Sequence, residues 1–223
     1  SSFSSYSGIS TVMSIMQSPS TGHIWIGVYN GGAYEIDKSA PMGTGVKAHN
    51  SSNAPWMCNS CIYYIYEDSR HNLWFATRGG TSMRAADGIP VRFDSLSVGG
   101  VPVQDMVVMQ LAEGHNGDMW MASSTHGVIR IQGSGNSLGG YTLSGYSVAN
   151  GKLSSNYADC VYKDIEGRIW VGTGGSGLSL YDAAADVFLP VHELWNLPGD
   201  AVANIQSDKK GNLWLGTNAG LLR

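Results

Sequence analysis

Three kinds of residue in this chain could do chemistry: a serine inside a G-x-S-x-G pentapeptide, a C-x-x-C pair, and carboxylates and histidines set at turns. The pentapeptide is Gly135-Asn136-Ser137-Leu138-Gly139. As a nucleophile elbow it needs a strand-to-helix turn in an α/β sheet, and here it falls in a loop between short strands, so it carries no nucleophile. Cys58 and Cys61 could form half a zinc site or a redox pair, but no second pair completes a metal set and no βαβ unit surrounds them. Cys61 and Cys160 read instead as core residues of innermost strands. The six histidines, His23, His49, His71, His115, His126 and His192, show neither H-x-x-x-H nor H-E-x-x-H spacing. Asp164 and Asp208 open equivalent turns and read as turn caps. No catalytic residue, metal set or cofactor is therefore expected.

The elements that must position any site come from a repeat centred on tryptophan. GHIWIGV (22–28), HNLWFAT (71–77), GDMWMAS (117–123), GRIWVGT (167–173) and GNLWLGT (211–217) place Trp25, Trp74, Trp120, Trp170 and Trp214 at intervals of 49, 46, 50 and 44 residues. A period of that size, filled with short strand patterns and glycine turns, predicts propeller blades in a single domain over residues 1–223. Around each indole the strand alternates. One face carries pairs such as Ile169 and Val171, and on the other the tryptophan is followed two positions on by Gly27, Ala76, Ala122, Gly172 or Gly216. Both faces are thus apolar, as in a sheet stacked between two others. The small residue is expected to leave room for a large ring of the adjacent blade.

Each unit reads as four antiparallel strands. In the fourth copy, Tyr157 to Tyr162 leads through the turn Asp164 to Gly167 into Arg168 to Thr173, and a glycine turn then leads into Leu178 to Asp182 and Val187 to Val191. The fifth copy ends after its third strand. The alternating segment Ser2 to Tyr6 is expected to supply the missing one, which would close a five-bladed ring and remove two sheet edges. The alternative is a fragment of a seven-bladed propeller.

Composition excludes some partners. Thirteen Lys and Arg against 17 Asp and Glu give a net charge of -4, and the basic residues do not cluster, so no nucleic-acid footprint is present. No apolar run is long enough to span a membrane as a helix. The low charge and Gly/Ser/Asn/Trp-rich composition lean toward an exported protein.

The segments DIEGRIWVGTGGSGLSLYD (164–182), DKKGNLWLGTNAGLL (208–222) and GKLSSNYADCVYKD (151–164) resemble the two-component regulator propeller repeat. The first three copies are more degenerate, with His71 for Gly, Ala76 and Ala122 for the second Gly, and Val28 and Ser123 for Thr. The resemblance implies a non-catalytic sensor region of a hybrid two-component histidine kinase of Bacteroidetes, periplasmic or extracellular, with its kinase elsewhere in a longer chain. It further implies an oligosaccharide or other small ligand, and binding coupled to rearrangement of a homodimer. Two other classes are weighed beside it: a structural or protein-interaction propeller of a surface or export assembly, and a propeller lyase or glycoside hydrolase.

In such a blade, the loop leading into the innermost strand and the turn between strands two and three open on one face of the ring. That face is expected to carry Tyr29, Asn30, Trp56, Asn59, Arg78, Gln104, Asp105, His126, Asn156, Tyr157, Asp200 and Asn218, a mixture of aromatic and planar polar groups suited to a sugar. Trp56 and Trp195 stand outside the repeat and are the aromatics least explained by blade packing.

Overall fold

The computed structural model describes residues 11–41, 44–192 and 194–223. It is an all-β, five-bladed propeller. Blade 1 is β1 (Val12–Gln17), β2 (Ile24–Val28), β3 (Gly32–Ile36) and β4 (Val46–His49); blade 2 is β5 (Ile62–Glu67), β6 (Leu73–Thr77), β7 (Gly80–Arg84) and β8 (Pro90–Arg92). A small hairpin, β9 (Ser97–Val98) and β10 (Val101–Pro102), follows. Blade 3 is β11 (Val108–Glu113), β12 (Met119–Ser123), β13 (Gly127–Gly133) and β14 (Tyr141–Tyr146); blade 4 is β15 (Ala158–Lys163), β16 (Ile169–Thr173), β17 (Gly177–Asp182) and β18 (Val187–Pro190). Blade 5 is β19 (Val202–Ser207), β20 (Leu213–Thr217) and β21 (Gly220–Leu222), three strands among the described residues. The segment expected to add a fourth, Ser2 to Tyr6, lies outside them.

Strands pair in sequence order, each antiparallel to the next, and the first strand of every blade runs along the axis, β1 packing on β5, β5 on β11, β11 on β15 and β15 on β19. The core is accordingly divided into four apolar slabs, one at each junction between neighbouring blades. Trp25, Trp74, Trp120 and Trp170 are buried to 1% exposure in these slabs.

Two details refine the sequence reading. Rings of the following blade do meet the indoles: Phe75 lies 5.7 Å from Trp25, Tyr141 6.5 Å from Trp74, and Tyr181 4.7 Å from Trp120, all edge-on. The space beside the small residue, however, is not filled by those rings. A Cβ on Gly27 would come within 2.9 Å of Ile62, and one on Gly172 within 2.4 Å of the Val202 carbonyl, so the small residue admits the first residue of the next innermost strand.

In blades 2, 4 and 5 the turn before the indole is built around its aspartate. Asp164 Oδ1 accepts from the Glu166 and Arg168 amides at 2.9 Å each, and Oδ2 accepts from Trp170 Nε1 at 2.8 Å. Asp68 holds Trp74 in the same way at 2.8 Å, and Asp208 holds Trp214 at 3.3 Å. The caps are thus also indole acceptors, joining turn to core. His71, which replaces the turn glycine, takes the same left-handed conformation (φ 64°) as Gly167 (φ 81°) and Gly211 (φ 83°). Blade 3 has no aspartate at that site, and Trp120 Nε1 is without a partner. Its indole is held from the ring face by Arg130, whose guanidinium carbon lies 5.0 Å from the centroid.

Burial raises the Asp164 pKa, but the hydrogen bonds from Trp170 and Arg168 outweigh it and hold the carboxyl below its ordinary value of 3.8. A pKa lowered by folding stabilises above the unfolded value and is lost as pH falls through the folded one. Asp164→Asn should therefore cost about 2 kcal/mol at pH 7, the scale of hydrogen bonds to a buried charge. The gap in Tm to the parent chain should narrow as pH drops below 3.8. Thermal melts of both proteins across pH 7 to about 2.5 check this.

Candidate functional site

Trp56 sits in the loop before β5, and its indole is tilted against Phe75 (5.2 Å) and near His49 (6.3 Å) at the edge of the slab between blades 1 and 2. One side is fixed by the core. The other lines a groove of about 620 Å³, together with Pro55, Arg92, Asp94, Asn136 and Ser137. Alternation along and just past β8 brings Arg92 and Asp94 to the same side. Arg92 Nε donates to Asp94 Oδ1 at 3.1 Å, Nη2 donates to Oδ2, and Nη1 donates to the Pro55 carbonyl at 2.8 Å. Three of the five guanidinium donors are thereby engaged, and two remain for a ligand. Although burial raises the Asp94 pKa, the bonded Arg92 lowers it below the ordinary value, so the carboxylate is ionised at neutral pH. Asn136 Nδ2 donates to Asp87 Oδ2 at 2.9 Å, which leaves its carbonyl oxygen available.

The groove therefore offers a rigid aromatic wall, a fixed guanidinium–carboxylate pair and a planar amide. Such a set binds hydroxyl-rich ligands by stacking and paired hydrogen bonds. Among the described residues no group of three or more His, Cys, Asp or Glu is placed to hold a metal ion. Ser137 precedes a 3-10 turn at Leu138–Gly140 in the β13–β14 loop, not the strand-to-helix turn an elbow requires.

The remaining sequence-predicted residues are distributed over the face where the β2–β3 type turns open. The turn glycines Gly32, Gly80, Gly127 and Gly177 donate to carbonyls of the next lead-in loop, at Ser60, Met106, Asn156 and Asp200, so these segments do share one face. Tyr29 meets Tyr63 edge-on at 6.2 Å, and burial pushes Tyr63 up to about 12. Asn30 adopts φ 58° in its turn, Arg78 and Asp105 are exposed, and Asn59 Oδ1 accepts from the Cys61 amide at 2.8 Å. Tyr157 stands over Gly174 and is 56% exposed.

His126 and Asn156 come together in a smaller cavity of about 200 Å³ beneath the β9–β10 hairpin. Asn156 Oδ1 is committed there to the Val148 amide at 2.8 Å. Trp195 is not on this face: it tilts against Trp170 at 5.5 Å beside the leucines of blade 5. Of the expected residues, only Trp56 belongs to the large groove. Arg92, Asp94 and Asn136 were missed. The i, i+2 charge pair in Arg92-Phe93-Asp94 is the signal the sequence carries, and Asn136 is marked in it only as part of the G-x-S-x-G segment.

Three segments of the chain, residues 57–79, 152–175 and 196–219, match the two component regulator propeller family. These segments are two component regulator propeller repeats. Each runs from a lead-in loop through the tryptophan strand into the turn that follows. No curated protein matches the chain. Among solved structures, it is similar to the extracellular domain of a hybrid two component system from B. thetaiotaomicron (TM-score 0.74, 23% identity, covering 94% of this chain and 26% of that one). A second such domain from the same organism gives TM-score 0.75 and 19% identity over 94% of this chain and 29% of that one. Virginiamycin B lyase from Staphylococcus aureus gives 0.65 and 15%, over 95% and 68%. At these identities the likeness establishes the propeller fold. The chain spans between a quarter and a third of the length of the two extracellular domains.

The cysteines can be tested directly. All three are free thiols, and burial first, then the nearby Asp94 charge, pushes Cys58 up to about 12. Burial does the same to Cys160. Iodoacetamide at pH 8 should label neither in the folded protein and both after denaturation, as read by intact mass. Rapid labelling of Cys58 in the folded chain would instead revive a functional thiol.

Proposed function

We propose that this chain is the ligand-sensing propeller of an extracytoplasmic two-component receptor, without catalytic activity of its own, and that the Trp56 groove receives a segment of an oligosaccharide. The observation that carries the reading is the groove itself: a half-buried indole facing an Arg92–Asp94 pair and Asn136 across about 620 Å³, room for more than one sugar ring. The propeller repeats in the chain and the likeness to extracellular domains of two-component systems support the sensor assignment. They also support a periplasmic or extracellular location; coupling of occupancy to a homodimer of the parent receptor is part of the proposal. No helix of the described residues is long and apolar enough to cross a membrane. The lyase likeness concerns fold alone and carries no activity to this chain.

Calorimetric titration with a panel of oligosaccharides should give saturable heat for at least one. Trp56→Ala and Asn136→Ala should each weaken that binding by about tenfold or more, equivalent to roughly 1.4 kcal/mol. Asn136→Ala, in an exposed loop, should leave the melting temperature unchanged, which separates lost binding from lost folding. Absence of heat with every sugar, or binding indifferent to both substitutions, contradicts the reading; release of new reducing ends would make the chain an enzyme.

A further inference from the structure

One cavity owes its roof to a segment that is not part of the repeat. Between β8, which ends at Arg92, and β11, which starts at Val108, the chain inserts the β9–β10 hairpin, and no other lead-in segment among the described residues carries one. Insertions in a repeat fold are free of the packing demands of the blades and gather where ligands bind. This hairpin pairs only with itself and rests on the outer strand of blade 3, β14: a Cβ on Gly145 would come within 2.6 Å of Val98. Beneath it lies the space of about 200 Å³ that His126 and Asn156 share.

The loop after β14, which supplies Ser147 and Asn156 to the lining, is pinned in place. Asn150 Oδ1 accepts from the Ser147 amide at 3.0 Å and its Nδ2 donates to the Gly145 carbonyl at 2.8 Å, while the Asn156 carbonyl accepts from the Gly127 amide at 2.8 Å. With Asn156 Oδ1 committed to Val148 and His126 Nδ1 placed 2.8 Å from Thr125 Oγ1, three polar groups of the lining have no partner among the described residues. They are Asn156 Nδ2, His126 Nε2 and Ser147 Oγ. Met106 and Ile129, 2% and 1% exposed, make the apolar floor. No Asp, Glu, Lys or Arg lines the cavity. A charged ligand group would therefore give up water without gaining a counter-charge.

We infer that this cavity is a second ligand site, which takes one neutral molecule of monosaccharide size bearing several hydroxyl groups and one apolar face. A volume of about 200 Å³ is below the roughly 300 Å³ at which drug-sized pockets begin, and leaves room for a single ring. The C–H face of that ring packs on Met106 and Ile129. Its hydroxyls accept from Asn156 Nδ2 and exchange hydrogen bonds with Ser147 Oγ and His126 Nε2. Because the occupant touches both the inserted hairpin and the loop after β14, it ties the one to the other. The site is independent of the Trp56 groove, with which it shares no lining residue.

NMR of the isotope-labelled 223-residue chain, titrated with glucose, galactose, fucose and xylose and with the charged sugars glucuronate and glucosamine, reads the site. At least one neutral sugar, added up to about 50 mM, should saturably shift the Gly99 and Gly145 amides and the Asn156 side chain, and the charged sugars should not. His126→Ala should weaken that binding about tenfold or more. Ala149→Trp, at an exposed position of the lining, should plug the mouth and abolish the shifts, and both variants should keep the Tm of the parent chain. Absence of these shifts with every neutral sugar overturns the inference. So do shifts indifferent to both substitutions, or equal shifts with glucuronate. A response confined to the Trp56 indole would remove this site and leave the Trp56 groove standing.

Discussion

Every junction in this molecule depends on a single backbone hydrogen bond made by a glycine. At the start of the third strand in blades 1 to 4, Gly32, Gly80, Gly127 and Gly177 donate their amides to the lead-in loop of the next blade at 2.7 to 2.9 Å. All four have φ between 67° and 87°, and a Cβ on any of them would come within 2.0 to 2.8 Å of another atom. Only glycine combines that conformation with that proximity. The bond fixes the height of one sheet against the next, and with the height fixed the indole, the neighbouring ring and the innermost strand fall into line. A Cβ on Gly220, the counterpart in blade 5, would meet nothing within 4 Å.

Secondary contacts reinforce the same alignment in sequence-specific ways. Glu113 accepts from Ser69 N at 2.9 Å, tying the end of one innermost strand to the turn of the preceding blade, and Glu67 does so with Ser20 N at 3.2 Å. At the junction of blades 4 and 5 the same place is taken by Ser207 and Tyr162, 2.6 Å apart. Different chemistry thus serves one geometric need, which is why the repeat looks degenerate in sequence while the blades superpose in strand order and register.

Much of the fold was legible because it rests on periodic features: the indole every 44 to 50 residues, the aspartate and glycine of the preceding turn, and glycine before the third strand. The outer strand expected at Val187 to Val191 is observed at Val187–Pro190. The β9–β10 hairpin was not anticipated, because it is an insertion that follows no period. The site was less legible for the same reason. Trp56 stood out by being out of register, but Arg92, Asp94 and Asn136 belong to an outer strand and a loop of two different blades, and only tertiary packing brings them to one groove. Trp195, also out of register, tilts against Trp170 and keeps 51% of its surface exposed. A propeller scaffold places such groups on variable outer segments over a constant stack of sheets, so the stack is readable from spacing and the groove is not.

The central claim, that the glycine amides bind each sheet to the next, is tested most directly by native-state hydrogen exchange at single-residue resolution. The amides of Gly80, Gly127 and Gly177 are buried at the starts of β7, β13 and β17 and bonded across to the next blade, so they should exchange only through opening of the blade junctions, orders of magnitude more slowly than Gly220. If those three amides exchange as fast as Gly220, the sheets are not held as described and the account of the fold fails.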